Sequence, residues 1–174
     1  MPDPAPKRDP VGPADAESRV LARGLLALTH AALAWTDPET GTPGISRIAF
    51  GLGVTGVPMT LISSLTPHFA ALKAHPPCAI LLGEPGPKGD PLTHPRLMIR
   101  AEAMFLERPS DAYGIARAHW LAGHPKSTLY IDFADFALVE LVVQSALLNG
   151  GFGKAFRLTA ADLVTEAARP VPQS

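Results

Sequence analysis

A single cysteine among 174 residues rules out a disulfide within the chain. Cys78 stands in the apolar run Cys78-Ala-Ile-Leu-Leu82 and reads as a buried core thiol. No Cys-x-x-Cys-His motif and no Cys/His zinc spacing occurs, so no metal site is expected. Charge is also scarce. Charged residues make up 18%, the formal net charge is −1, and no Lys/Arg run stands out. That argues against nucleic acid or an anionic membrane as a partner. No apolar stretch reaches about 18 residues without a polar break, so no membrane span is expected. The N-terminal residues lack a basic region ahead of an apolar core, so no secretory leader is expected and the cytoplasm is the default location. A Gly-x-Ser-x-Gly elbow is missing, which leaves nucleophilic catalysis with little support.

What is present suffices for one globular domain with a core, since 47% of the residues are hydrophobic. Five prolines, at positions 2, 4, 6, 10 and 13, mark residues 1–13 as a disordered tail. Asp15 suits a helix N-cap, and apolar positions from Val20 to Trp35 recur at helical spacing, so one helix is expected to run from Asp15 to about Trp35. Thr36-Asp37-Pro38 would stop it. Ile45–Leu52 and Val57–Ser64 read as strands joined by the turn Gly53-Val-Thr-Gly56, which predicts a hairpin. A helix from Pro67 ends near His75, and Cys78–Leu82 is a short strand. Residues 83–95 form a loop rich in proline and glycine. Alternation from Arg96 to Glu107 is the clearest strand signal: Arg96, Met98, Arg100, Glu102 and Met104 share one face. Ser110 caps a helix to about Leu121. Periodicity leaves Ala137–Leu148 open between helix and strand. Ala155–Leu158 reads as a strand, Ala160–Ala168 as a short helix, and residues 169–174 as a tail. Strands joined by hairpins and single helices favour an α+β fold, mainly β, with an antiparallel sheet or small barrel, and argue against a doubly wound nucleotide fold.

The stretch from Thr60 to Phe69 is the most suggestive. An apolar strand releases hydroxyls and turns into a helix start at Thr66-Pro67. A helix N-terminus attracts anions, and Ser63, Ser64, Thr66 and His68 add four hydrogen-bonding side chains. The reading is a phosphate cradle; an ordinary capped helix with solvated serines fits the same letters. Arg47, pointing off the preceding strand, would grip a phosphate in two places or stand as a surface arginine. Among six histidines, His68 has the best claim to function. Asp132 and Asp135, set among aromatics, read as turn-capping acids rather than an acid–base pair.

Several segments in order resemble a known family. Arg47-Ile-Ala-Phe, Ile62-Ser-Ser-Leu-Thr-Pro-His68 and His75-Pro-Pro-Cys-Ala-Ile-Leu-Leu82 resemble the FMN-binding split-barrel proteins related to pyridoxamine 5′-phosphate oxidase. His94-Pro-Arg-Leu-Met-Ile-Arg, His124-Pro-Lys-Ser-Thr-Leu-Tyr130, Phe133-Ala-Asp-Phe136 and Gly150-Gly-Phe-Gly-Lys-Ala155 look like its HugZ-type haem-utilisation branch. The resemblance spans about residues 16–165. It implies a six-stranded antiparallel split barrel over residues 14–168 and a homodimer with FMN at the interface, and it reads Ala137–Leu148 as a strand. It also implies a phosphate site at Arg47, Ser63, Ser64, Thr66 and His68, with Phe152 and Lys154 approaching the flavin from the partner. The implied activity is that of an FMN-dependent oxidoreductase or flavin reductase with an unidentified small-molecule substrate. Haem binding or cleavage, and a non-catalytic dimeric binding module, are the alternatives. The chain departs from the oxidase itself at Pro67-His68, where the oxidase has Arg-Lys, and at Met98, where it has Gln.

Overall fold

The computed structural model describes residues 11–151 and 153–164. Their elements are β1 (Val11–Pro13), α1 (Ala16–Leu25), β2 (His30–Thr36), β3 (Pro43–Ala49), β4 (Gly51–Leu52), β5 (Pro58–Ser63) and α2 (Pro67–Ala74). These are followed by β6 (Pro77–Leu82), β7 (Arg96–Phe105), α3 (Asp111–Gly123), β8 (Phe136–Asn149), β9 (Ala155–Leu158) and α4 (Ala160–Leu163). The result is mainly β with flanking helices, the split-barrel α+β fold expected.

The strands form one sheet in the order β1-β9-β8-β7-β6-β2-β3, with β5 joining β4 to β8. Only the β1–β9 pairing is parallel among the described ladders. Going around the wall, β2 leads to β3, then through Phe50 to β4, β5, β8, β7, β6 and back to β2. The wall is not closed by a ladder between β3 and β5. A side chain bridges the gap instead: the Thr60 hydroxyl donates to the Ala49 carbonyl at 2.7 Å.

Strand alternation fills the interior. Leu33, Ile48, Ile80, Leu97, Ile99, Leu141 and Leu148 point inward and are buried. A second core lies outside β5 and β8, where α3 lays Tyr113, Ala116 and Trp120 on Met59, Leu61 and Leu138. α3 starts where Ser110 accepts the Tyr113 N–H, and α1 starts at a reciprocal Asp15–Ser18 capping box. The long β8 contains a bulge. Arg100 faces Ser145 and Ala101 faces Val143, so Gln144 has no opposite residue.

Four sequence expectations change. The first helix ends at Leu25, and His30–Thr36 is a central strand between β3 and β6. Ala-rich letters fit both periods, and two flanking ladders decide for the strand, with Ala31 and Leu33 buried. The expected hairpin shrinks to Gly51–Leu52 against Pro58–Met59, because β3 spends seven positions on β2 instead. Val11–Pro13, assigned to the tail, forms β1 against β9; the rest of the tail and residues 169–174 lie outside the described residues. The last helix ends at Leu163, and 165–168 also lie outside. Gly51-Leu-Gly53-Val-Thr-Gly56 spells a dinucleotide fingerprint, but it joins two strands and so offers no helix N-terminus to a pyrophosphate.

Arg108 ties α3's entry to the loop before β8. Its Nη2 donates to the Ile131 and Phe136 carbonyls at 2.6 and 2.9 Å, Nη1 donates to Phe133 at 3.3 Å, and the guanidinium lies 4.5 Å from the centre of the Tyr113 ring. Arg108→Ala removes these bonds, the part-buried one to Ile131 among them, and is expected to destabilise the fold by about 1–3 kcal/mol. Urea unfolding should show an earlier midpoint, with Arg108→Lys recovering only part of it because an ammonium lacks the planar fork. An unchanged midpoint would contradict this role.

Candidate functional site

At the rim where β5 passes into α2, a chain of hydrogen bonds runs through the protein. Trp35 Nε1 donates to Ser46 Oγ at 3.1 Å. Ser46 Oγ lies 3.1 Å from His68 Nδ1, and His68 Nε2 lies 3.1 Å from Thr66 Oγ1. Thr66 Oγ1 donates to the Ser63 carbonyl at 2.6 Å. These partners, with burial, assign the protons. Thr66 spends its hydrogen on a carbonyl, so it accepts from His68 Nε2–H; in the neutral ring that burial favours, Nδ1 accepts from Ser46, whose oxygen takes the Trp35 N–H. The neutral state follows from burial: His68 is only 7% exposed and desolvation holds it below the ordinary histidine range.

The sequence-derived cradle is thus divided. The structure brings Ser63, Thr66 and His68 together, but it commits their polar atoms to protein. Ser63 Oγ donates to Asp135 Oδ2 at 2.6 Å and accepts the Leu65 N–H at 3.2 Å. Thr66 occupies the N-cap position of α2 without a side-chain cap bond. Ser64 is exposed, and its backbone N–H goes to the Asp135 carbonyl at 2.6 Å. Lys154 is exposed in the turn between β8 and β9, and Phe152 lies outside the described residues. A neutral imidazole and a neighbouring carboxylate form a poor phosphate pocket.

Arg47 leaves β3 on the face opposite Ser46, so it does not join the His68 chain. Its Nη2 lies 3.6 Å from Glu84 Oε1, and the side chain is 77% exposed. Directly paired residues continue from it across the outer face of the sheet: Arg47, Ala32, Leu81, Met98, Leu147 and Arg157. At ordinary strand spacing this lane is about 24 Å long. It is apolar in the middle with a guanidinium at each end, and Arg157 also donates to the Val11 carbonyl at 2.9 Å. A neighbouring row runs Ile45, Ala34, Ala79, Arg100 and Ser145, with Ile45 largely exposed.

Sequence reasoning missed Ser46, Trp35, His30 and Glu84. Ser46 follows from alternation beside Arg47, but its partner strand was hidden inside an expected helix. Glu84 stood in a segment read only as loop. Cys78 is no nucleophile: burial, helped by Glu102, pushes its thiol up to about 11. Among the described residues no three His, Cys, Asp or Glu side chains are placed to hold a metal ion, and no helix is long and apolar enough to cross a membrane.

The neutral His68 has a measurable consequence. Its folded pKa is lowered from 6.5, so below that pH the unfolded chain binds a proton the folded chain resists. Stability should therefore be fully present above pH 6.5 and decline as pH falls toward the folded value. Denaturant unfolding of His68→Gln across this range should give a shallower dependence on pH; an unaltered slope would dismiss His68 as its source.

No protein-family model matches the chain. One solved structure is 42% identical and superposes with a TM-score of 0.77, covering 87% of this chain and 98% of its own. A haem-binding protein from Mycobacterium smegmatis is 27% identical at a TM-score of 0.76, covering 86% of this chain and 61% of that one. The non-canonical haem oxygenase HOZ of Arabidopsis thaliana chloroplasts is 28% identical over 144 residues. That match takes in 75% of this chain, which spans 42% of the length of that relative. At the level of fold alone, a putative pyridoxamine 5′-phosphate oxidase from Listeria innocua superposes at a TM-score of 0.58 with 17% identity, covering 79% of this chain and all of that one. With the open barrel and its strand order, these likenesses show that the chain has the split-barrel fold, shared with proteins named for haem and with proteins related to pyridoxamine 5′-phosphate oxidase.

Proposed function

We propose that this chain is a haem-binding split-barrel protein acting as a homodimer. The observation that carries the reading is the outer lane: four apolar side chains in a row, ended by Arg47 and Arg157. Such a surface fits a flat conjugated ring with acidic substituents, because the ring takes the apolar floor and a carboxylate takes a guanidinium. The relatives at 27% and 28% identity are named for haem, which favours that ring. Haem, when bound, would supply iron redox chemistry; the chain would supply the floor, the acid anchors and exclusion of water. Exposed Ile45, Leu81 and Met104 on the same face suit cover by a second copy. A cytoplasmic setting remains part of this reading, on the single cysteine.

FMN is the second reading, and one observation favours it: Arg47 stands on the strand from which the family's phosphate-binding arginine projects, with the exposed Glu84 as its ion-pair partner. The remaining donors fit FMN less well, since Ser63 is spent on Asp135 and His68 is neutral. An FMN-dependent oxidoreductase or flavin reductase would need Arg47 and Ser64 to hold the phosphate, and Phe152 and Lys154 of a partner chain to approach the flavin.

Parallel titrations decide between the two. Hemin should produce a Soret band that saturates, and FMN should bind more weakly or leave its fluorescence unquenched. The reverse order would replace the first reading with the second, and silence with both would remove them. Loss of the Soret band with a reductant in air marks turnover; its persistence marks a binding module. Arg47→Ala should weaken whichever cofactor binds by on the order of tenfold or more. Light scattering on a sizing column should give twice the mass of one chain; a monomer would refute the dimer.

A further inference from the structure

His30 and Glu84 have no part in the family resemblance, yet they meet Arg47 at one point. His30 Nε2 lies 3.3 Å and Arg47 Nη2 3.6 Å from the same oxygen, Glu84 Oε1. The three line a cleft of about 280 Å³ whose remaining walls are Ala31, Ala32, Leu81, Gly83 and Pro85. Two donors therefore converge on one carboxylate that arrives from a loop. The loop's approach is fixed by Gly83, which has φ of +113°, and a Cβ there would sit 2.5 Å from the Pro95 carbonyl oxygen. Glu84 thus leaves the end of β6 by a turn that only glycine permits, and its carboxylate lies at the Arg47 end of the apolar lane.

We propose that His30 and Arg47 form a two-donor seat for one anionic group, a carboxylate or a phosphate monoester, and that Glu84 occupies this seat until the ligand displaces it. The carboxylate of the protein mimics the acid of the ligand, so binding exchanges one charge-assisted contact for another and the apolar floor decides the outcome. All three side chains are partly or largely exposed, which keeps each contact modest and the exchange reversible. This rests on the cofactor-face reading above, and the experiment separates the two.

Glu84→Gln removes the competing charge and should tighten the cofactor that binds wild type by roughly 2- to 5-fold, while His30→Gln loosens it by a similar factor. A Glu84→Gln chain with unchanged or weaker affinity overturns the proposal and leaves the cofactor reading intact. If neither hemin nor FMN binds wild type, the cofactor reading fails and a second measurement decides this one. Inorganic phosphate and propionate are added to wild type and to Glu84→Gln while the His30 ring resonances are followed by NMR. Saturable shifts, reached at lower anion concentration in the variant, support the seat. Propionate acting alone identifies a carboxylate ligand, and phosphate acting alone a phosphate monoester. His30 resonances indifferent to both anions overturn it.

Discussion

The architecture hangs on β8 and on the hydrogen-bonding capacity of its two edges. One edge pairs with β7 for most of its length; the other serves β5 at its start and β9 at its end. A strand of 14 residues can do this because each half of that edge is long enough for a ladder of four or five positions. With β5 and β9 on the same edge, the wall must split between them. A second gap, between β3 and β5, has no ladder and is crossed by the Thr60–Ala49 bond.

Inside and outside then acquire separate work. The inner surface is apolar, and its open end is finished by the neutral chain from Trp35 to Thr66. A fully paired polar chain beside a core stabilises one arrangement and leaves no donor over for a ligand. The outer surface keeps the groups that face solution: two arginines, a histidine and a carboxylate around an apolar floor. Strand alternation is what divides Ser46 from Arg47, adjacent in sequence and assigned to different tasks.

Much of this was legible in the letters. β7 was read with its faces correct because every second residue is charged or flexible on the open side. The helix starts at Asp15 and Ser110 were read because a short polar side chain before a helix has one favourable use. Thr66 was read at the right position, but its hydroxyl serves Ser63 instead of the helix, a choice that depends on where His68 comes to rest. β2 was misread because alanine and leucine satisfy helix and strand alike; only the flanking ladders break the tie. That error hid the Ser46–His68 contact and joined Arg47 to the serines through a hairpin that is two residues long. Arg47 was read as a candidate from its place on a strand beside the serines, but the same letters fitted a surface arginine, and the resemblance tipped the choice.

The bulge at Gln144 reaches further than its size. Before it, odd-numbered residues of β8 face inward, as at Val139 and Leu141; after it, even-numbered ones do, as at Ala146 and Leu148. The unpaired residue acts as a parity switch. It is why Leu147 lies in the outer lane and Leu148 in the core, although the two are nearly the same to any scale of hydrophobicity. The outer face is therefore written in a reading frame: substitutions adjust it residue by residue, whereas gain or loss of one residue between Val143 and Ala146 would turn half the strand inside out.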